Sequence, residues 1–201
     1  MQDDLERILF HETAILSRLD QLAAEISQEY RGRELTVIAV LSGSLMFMAD
    51  LLRRIPLPLR LDFVSVASYY GNAQTTGEIT FKLATASVAA ATGQIALPDV
   101  KHRHILVLDD ILDSGHTLAA IREKLEAVAP RSIRVCVLLS KKKPRARIVH
   151  ADYVGFEIED EFVVGYGLDF MERYRNLPYI GVLRKDLIAQ ENSSLTRESR
   201  E

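Results

Sequence analysis

The chain has 201 residues, 48% of them hydrophobic, enough to bury one substantial core in a single domain expected over residues 1–189. A formal net charge of -3 and a pI near 6.0 supply no general attraction to nucleic acid or anionic lipid, so small solutes are the expected partners. Cys136 is the single cysteine, which excludes an intrachain disulfide, and no segment approaches the roughly 20 apolar residues that span a bilayer.

The opening MQDDLERILFHE is acidic and lacks the basic start and apolar run of a secretory signal, so a cytoplasmic soluble protein is expected. Between Thr13 and Tyr30, Ile15, Leu16, Leu19, Leu22, Ala23 and Ile26 recur at helical spacing and predict an amphipathic helix. LTVIAVL, Leu35 to Leu41, is β-branched and free of charge, as in a strand buried on both faces, and Ser42 and Gly43 end it. Leu45, Met48, Leu51 and Leu52 predict a helix that stops near Arg53, Arg54 and Pro56. LDFVSVASY alternates like a half-buried strand, YGNAQTTG reads as a loop, ITFKL as a returning antiparallel strand, and Thr85 to Pro98 as an insertion.

HILVLDD is a further buried strand, and Leu118, Ile121, Leu125 and Val128 mark a helix ending before Pro130. RVCVLLS and YVGFEI add two strands, the first placing Cys136 as a buried thiol. Buried strands alternating with amphipathic helices predict an α/β fold with a mostly parallel central sheet flanked by helices. The stretch 190–201 is polar and without periodicity, so a frayed or disordered tail is expected.

Chemistry concentrates in ILVLDDILDSGHT, Ile105 to Thr117, where an apolar strand runs into two acids, a third acid, small hydroxyl residues and a helix. Ligands of open α/β sheets bind outside the carboxyl ends of strands, which puts Asp109, Asp110 and Asp113 in the crevice. Backbone N–H groups of Ser114, Gly115, His116 and Thr117 at a helix N-terminus suit a phosphate, and Ser114 and Thr117 add hydroxyls. Carboxylates repel phosphate, so Asp109 and Asp110 must face hydroxyls or a hard cation, and a phosphorylated sugar satisfies both demands. Asp113 is left for proton transfer. The bland alternative is that Asp113 and Ser114 merely cap the helix, but capping does not require three acids. A DDxxD metal motif would sit on a helix, and an aspartyl-phosphate phosphatase would want an acid where Ile111 stands.

This segment resembles the phosphoribosyl diphosphate (PRPP) motif of type I phosphoribosyltransferases. DYVGFEIEDEFVVGYGLDFMERYRNLPYIGVL, Asp152 to Leu183, resembles the C-terminal signature of the hypoxanthine (hypoxanthine-guanine) members, and similarity extends over Leu35 to Leu183. The resemblance implies that family's fold, with a small hood and a mobile loop. It also implies magnesium-dependent transfer of the phosphoribosyl group from PRPP to hypoxanthine or guanine in purine salvage, giving IMP or GMP and diphosphate. Asp113 is then the general base, and Lys141 donates to the purine 6-oxo group, although composition alone makes KKK a solvated loop. Phe162 stacks on the base and the backbone of Val163 meets its Watson-Crick edge; without the resemblance both read as core. Asp109, Asp110 and Asp169 are the Mg2+-site acids, and Arg175 contacts diphosphate.

Ser42 and Gly43 match the diphosphate loop, where many members have lysine at the Ser42 position and a cis peptide before it. His116 likewise replaces a frequent lysine within the phosphate turn, and Ser68 and Tyr69 match the Ser-Tyr of the mobile loop. A homodimer or homotetramer is expected, with no nucleic acid or membrane partner. The alternative is a regulator of the same fold that binds nucleotides and RNA or DNA. Against it stand Asp113, Lys141, the slightly acidic charge and the lack of room for a separate N-terminal DNA-binding domain.

Overall fold

A computed structural model describes residues 1–66, 81–83 and 100–190. The expectations for Ser68 and Tyr69, for the 85–98 insertion and for the tail beyond Gln190 lie outside the described residues.

A short 3-10 turn, Gln2–Asp4, leads into β1 (Leu5–Phe10) and α1 (Glu12–Glu29). There follow β2 (Leu35–Leu41), α2 (Leu45–Leu52), β3 (Leu59–Val66), β4 (Phe81–Leu83), β5 (His104–Leu112) and α3 (His116–Glu126). β6 (Ser132–Lys141), β7 (Tyr153–Ile158), β8 (Val163–Val164) and β9 (Ile180–Leu183) complete the order.

The main sheet runs β4-β3-β2-β5-β6-β7, parallel throughout except for the antiparallel β4 edge. This is the fold class expected from the alternation of buried strands and amphipathic helices. The described part of ITFKL, Phe81–Leu83, does return as β4, against the end of β3. Side chains alternate across a strand, so each central strand feeds two layers. Leu35, Val37, Ala39, Leu106, Leu108, Cys136 and Leu138 face α1 and α2, where Ile15, Leu19, Leu22 and Phe47 are fully buried. Ile38, Val40, Ile105, Val107, Val135 and Val137 face α3, against Leu118, Ile121 and Leu125. Burial on both faces is why these runs lack polar alternation. Burial also pushes the Cys136 thiol up, away from thiolate, which agrees with its expected role as core.

A second sheet, β1-β9-β8, is antiparallel and forms the hood. Its first strand joins the chain's beginning to its later part, Leu5 opposite Leu183, with bulges between Leu5 and Arg7 and between Ile8 and Phe10. The parallel strand order reverses direction between β2 and β5. β2 is followed by a neighbour on one side, β3, and the chain then crosses to β5 on the other, so the carboxyl ends of β2 and β5 flank a crevice.

Candidate active site

Three turns meet at that crevice. The first follows β2, where the Leu41–Ser42 peptide is cis and Ser44 Oγ, fully buried, donates to the Val40 carbonyl at 2.5 Å. A Cβ on Gly43 would overlap the carboxylate of Asp110, so only glycine lets the backbone come this close. The second turn follows β5, and the third carries residues 165–175 below the hood. A Cβ on Gly167 would in turn overlap the Gly43 carbonyl, which makes the third turn a wall of the first. Tyr166, Met171, Glu172 and Tyr174 there all adopt left-handed φ of 52° to 74°, a conformation costly for residues with side chains and concentrated at functional sites.

β5 continues through both acids to Leu112, rather than ending before them. Asp109 is buried and Asp110 half-buried; the Asp110 N–H donates to Asp109 Oδ1 at 3.0 Å, and the Ile111 N–H to Asp110 Oδ1 at 2.9 Å. Burial, with the neighbouring Asp110 charge, holds the Asp109 carboxyl well above the usual carboxylate range. Burial raises Asp110 too, opposed by its hydrogen bonding with Asp109 and the Ile111 N–H and, least, by the Arg175 guanidinium. Two such groups side by side call for hydroxyl donors or a cation.

The helix after the acids is capped by Gly115 at φ +83°, and no side chain caps it. The capping role considered for Asp113 and Ser114 is therefore not what the fold uses them for. The Ser114 carbonyl accepts from the Arg147 N–H at 3.2 Å, and a Cβ on Gly115 would strike the Arg147 carbonyl. Ala119 N–H makes the first helical bond, to Gly115 O at 3.0 Å, which leaves the N–H groups of His116 and Thr117 as an open oxyanion cradle. His116 is exposed, so its imidazole occupies no packed position and only its backbone belongs to the cradle.

Asp113, Lys141, Lys143 and Asp160 form one charged cluster. Lys141 Nζ lies 3.0 Å from Asp113 Oδ2 and 3.2 Å from Asp160 Oδ1. Lys143 Nζ contacts Asp113 Oδ1 and lies 3.0 Å from Asp160 Oδ1. Burial alone would raise the Asp113 carboxyl, but the Lys143 and Lys141 ammonium groups outweigh it and hold the group below its usual range. Composition reads KKK as solvated; instead Lys141, at the end of β6, is only 9% exposed, while Lys142 faces water. Lys143 and Asp160 are the residues that sequence reasoning missed. The acidic pair Asp160-Glu161 after β7 was the available signal, but which cation it would meet depends on sheet pairing.

Phe162 is 41% exposed with its ring edge-to-face on Phe170, centroids 5.4 Å apart, so it is not core. Val163 is buried in β8 opposite Val182, its side chain core as the composition reading had it. Asp169 does not join Asp109 and Asp110. Its Oδ1 pairs with Arg175 Nη2 at 2.9 Å, and Oδ2 accepts the Glu172 N–H at 3.0 Å. Among the described residues no three His, Cys, Asp or Glu side chains gather as a metal cluster. Arg175 also donates to the Gly167 carbonyl at 2.9 Å, which fastens the third turn beside the acid pair.

A sheet switch point with an acid pair, an open amide cradle and a carboxylate between lysines defines an α/β protein equipped to hold a phosphorylated sugar and move a proton beside it. Residues 7–171 match the phosphoribosyl transferase domain family. The chain is 38% identical over 187 residues to a hypoxanthine-guanine phosphoribosyltransferase of Staphylococcus aureus, covering 93% of this chain and 98% of that one. It is 38% identical over 190 residues to one of Staphylococcus epidermidis, covering 94% and 100%. A crystal structure of a hypoxanthine phosphoribosyltransferase from Staphylococcus aureus superposes with a TM-score of 0.81 at 38% identity, over 93% of this chain and 96% of that one. The chain belongs to the phosphoribosyl transferase domain family.

Proposed function

We propose that the protein is a hypoxanthine-guanine phosphoribosyltransferase of purine salvage, transferring the phosphoribosyl group of PRPP to hypoxanthine or guanine and releasing diphosphate. The observation that carries this reading is the place of Asp113, between the open amides of His116 and Thr117 on one side and buried Lys141 on the other. The cradle takes the sugar phosphate, with hydroxyls of Ser114 and Thr117 as further donors. Asp109 and Asp110 accept from the vicinal ribose hydroxyls, which offsets the cost of burying their charge.

On the other side, Lys141 turns from Asp113 to the 6-oxo group of the arriving base, and Phe162 lies against the ring face, with the Val163 backbone at its polar edge. Asp113, held ionised by Lys143, accepts the proton that the ring nitrogens release as the base bonds to C1 of the ribose. The Ser42-Gly43 turn and Arg175 receive the departing diphosphate, and Ser68 and Tyr69 cover the reacting centre to exclude water. Mg2+ fits this donor set. Two adjacent carboxylates without a third acid are the protein share that magnesium takes when substrate phosphates and water complete its shell. When bound it would neutralise charge on the leaving diphosphate. Asp109 and Asp110 would hold it, while Asp169, paired with Arg175, would act only by placing that arginine beside them.

A cytoplasmic location and a homodimer or homotetramer belong to the same reading; among the described residues no helix is long and apolar enough to cross a membrane. The test is a steady-state assay with PRPP and magnesium against hypoxanthine, guanine, xanthine and adenine. Turnover is expected with hypoxanthine or guanine; no nucleotide from any base overturns the reading. Light scattering on the same preparation reads the subunit number.

A further inference from the structure

A cavity of about 590 Å³ lies at the other end of the parallel sheet, lined by residues 32–34 and 102–104 together with Arg131. These segments lead into β2, β5 and β6, the strands whose carboxyl ends carry Ser42, Asp109, Asp110, Asp113 and Lys141. Asp113 stands nine residues beyond His104, about 30 Å at roughly 3.3 Å per residue, so this cavity is separate from the site described above.

Its backbone is fixed by sharp turns. Gly32, His102 and Ala129 have φ of 73°, 60° and 52°. The His102 N–H donates to the Ala129 carbonyl at 3.1 Å, the Arg131 N–H to the Arg103 carbonyl at 2.7 Å, and the Arg33 N–H to the Tyr30 carbonyl at 3.0 Å. His104 Nδ1 is 2.7 Å from Ser132 Oγ. Three separate parts of the chain thus present Arg33, Arg103, Arg131, His102 and His104 to one space.

Charge in that space is unbalanced at Arg33 and Arg131. Its one acid among the described lining residues, Glu34, already accepts from Arg60 Nε at 2.8 Å, and Glu29 nearby, whose charge also reaches Arg33 and His104, is taken by Arg134 and Tyr153. Among the described residues the guanidinium groups of Arg33 and Arg131 have no hydrogen-bond or ion-pair partner. Their field reaches His104, whose imidazole is held below its usual range by burial and then by Arg131 and Arg33. The chain as a whole carries a net charge of -3, so this concentration of cations does not follow from composition. Like charges on fixed backbone repel one another unless an anion lies between them, and forked guanidinium donors match phosphate oxygens. The volume suits a small molecule of nucleotide size.

We propose that this cleft is a second binding site, for a polyphosphate-bearing anion, independent of the PRPP crevice. The five histidines offer a readout that separates the two places, because His102 and His104 line the cleft and His116 opens α3 at the phosphate turn. The experiment titrates the full chain with inorganic triphosphate and, separately, with ATP, following the imidazole resonances by NMR in the wild type and in Arg33→Ala/Arg131→Ala. Saturable shifts of His102 and His104 are expected, weakened at least about tenfold in the double variant while the response of His116 stays the same. Equal affinity for the two probes assigns the site to the phosphates alone, and tighter ATP binding assigns it to a nucleoside polyphosphate. Both replaced arginines are exposed and unpartnered, so the variant keeps the fold, and Arg131→Glu alone must also weaken the shifts. Signals of His102 and His104 that stay in place, rise without saturation, or move as readily in the variants overturn the proposal.

Discussion

Both carboxylate oxygens of Asp113 are taken by lysines, Oδ2 by Lys141 at 3.0 Å and Oδ1 by Lys143. Asp113→Asn keeps the size of the side chain and removes its capacity to accept a proton, so kcat should fall by about 10² to 10⁴ while PRPP affinity changes little. Unchanged turnover in that variant removes Asp113 from the chemistry. Lys143 acts one step away, through Asp113. Because its ammonium group helps hold the Asp113 carboxyl down, Lys143→Ala lets that carboxyl rise toward its ordinary range. The acid limb of the kcat/KM pH profile should therefore move to higher pH, with the plateau above it kept and Lys143→Arg restoring the original limb. An acid limb in the same place for Lys143→Ala and wild type shows that Lys143 only packs there. Asp109, Asp110, Asp113 and the cradle residues were legible in the sequence because strand, acids, glycine and helix follow one another within thirteen residues, Ile105 to Thr117. Lys143 and Asp160 were not, since they meet only because the ends of β6 and β7 are paired, Ser140 opposite Glu157 and Lys141 opposite Ile158.

Elements followed the same division between local and distant information. LTVIAVL, HILVLDD, RVCVLLS and YVGFEI read as strands because two covered faces demand unbroken apolar runs, and each lies within its observed strand. LERILF carried no such signal. It is a short edge strand with two bulges, and what makes it a strand is β9, some 170 residues later in sequence, with Ile8 opposite Gly181. The third turn was legible through the resemblance of Asp152 to Leu183 to a family signature, which singled out Asp169 and Arg175; its left-handed backbone is imposed by tertiary bonds. One of them is the Tyr166 hydroxyl, which donates to Asp50 Oδ2 at 2.5 Å and ties the turn to α2. Burial keeps that phenol protonated and so a donor. Tyr166→Phe leaves Asp50 with its arginine neighbours but unties the turn, and should cost about 1–3 kcal/mol in chemical denaturation. Since the same turn backs Gly43 and carries Arg175, KM for PRPP should rise as well. A variant as stable as wild type, with unchanged KM, means that the hood sheet and Arg175 suffice to hold the turn.

Across the whole molecule, the ionisable groups of the site pull stability in opposite directions with pH. Asp113 and Asp160 have folded-state values below their unfolded ones, so the stability they contribute is present above the ordinary carboxylate range and lost as pH falls through the folded values. Asp109 and Asp110 have values raised by burial, so their contribution has the other sign: it is full at acid pH and lost as pH rises through the folded values. Above the ordinary carboxylate range the ligand-free protein therefore bears the cost of burying this acid pair, a cost that ribose hydroxyls and a cation would remove. Asp109→Asn isolates the effect, because it deletes one charge without emptying the space. The unliganded variant should melt above wild type at about pH 8, by roughly 2–4 °C for each kcal/mol recovered in a chain of this size, and the difference should shrink as the pH approaches the carboxylate range. PRPP with magnesium should raise the melting temperature of the wild type strongly and that of the variant little, since the stabilised chain has lost an acceptor that makes the ligand fit. Thermal melts at several pH values, with and without the pair of ligands, measure both halves. Equal melting temperatures for the free proteins at about pH 8 mean that burial of Asp109 costs the fold nothing, and the acid pair then needs no ligand to account for it.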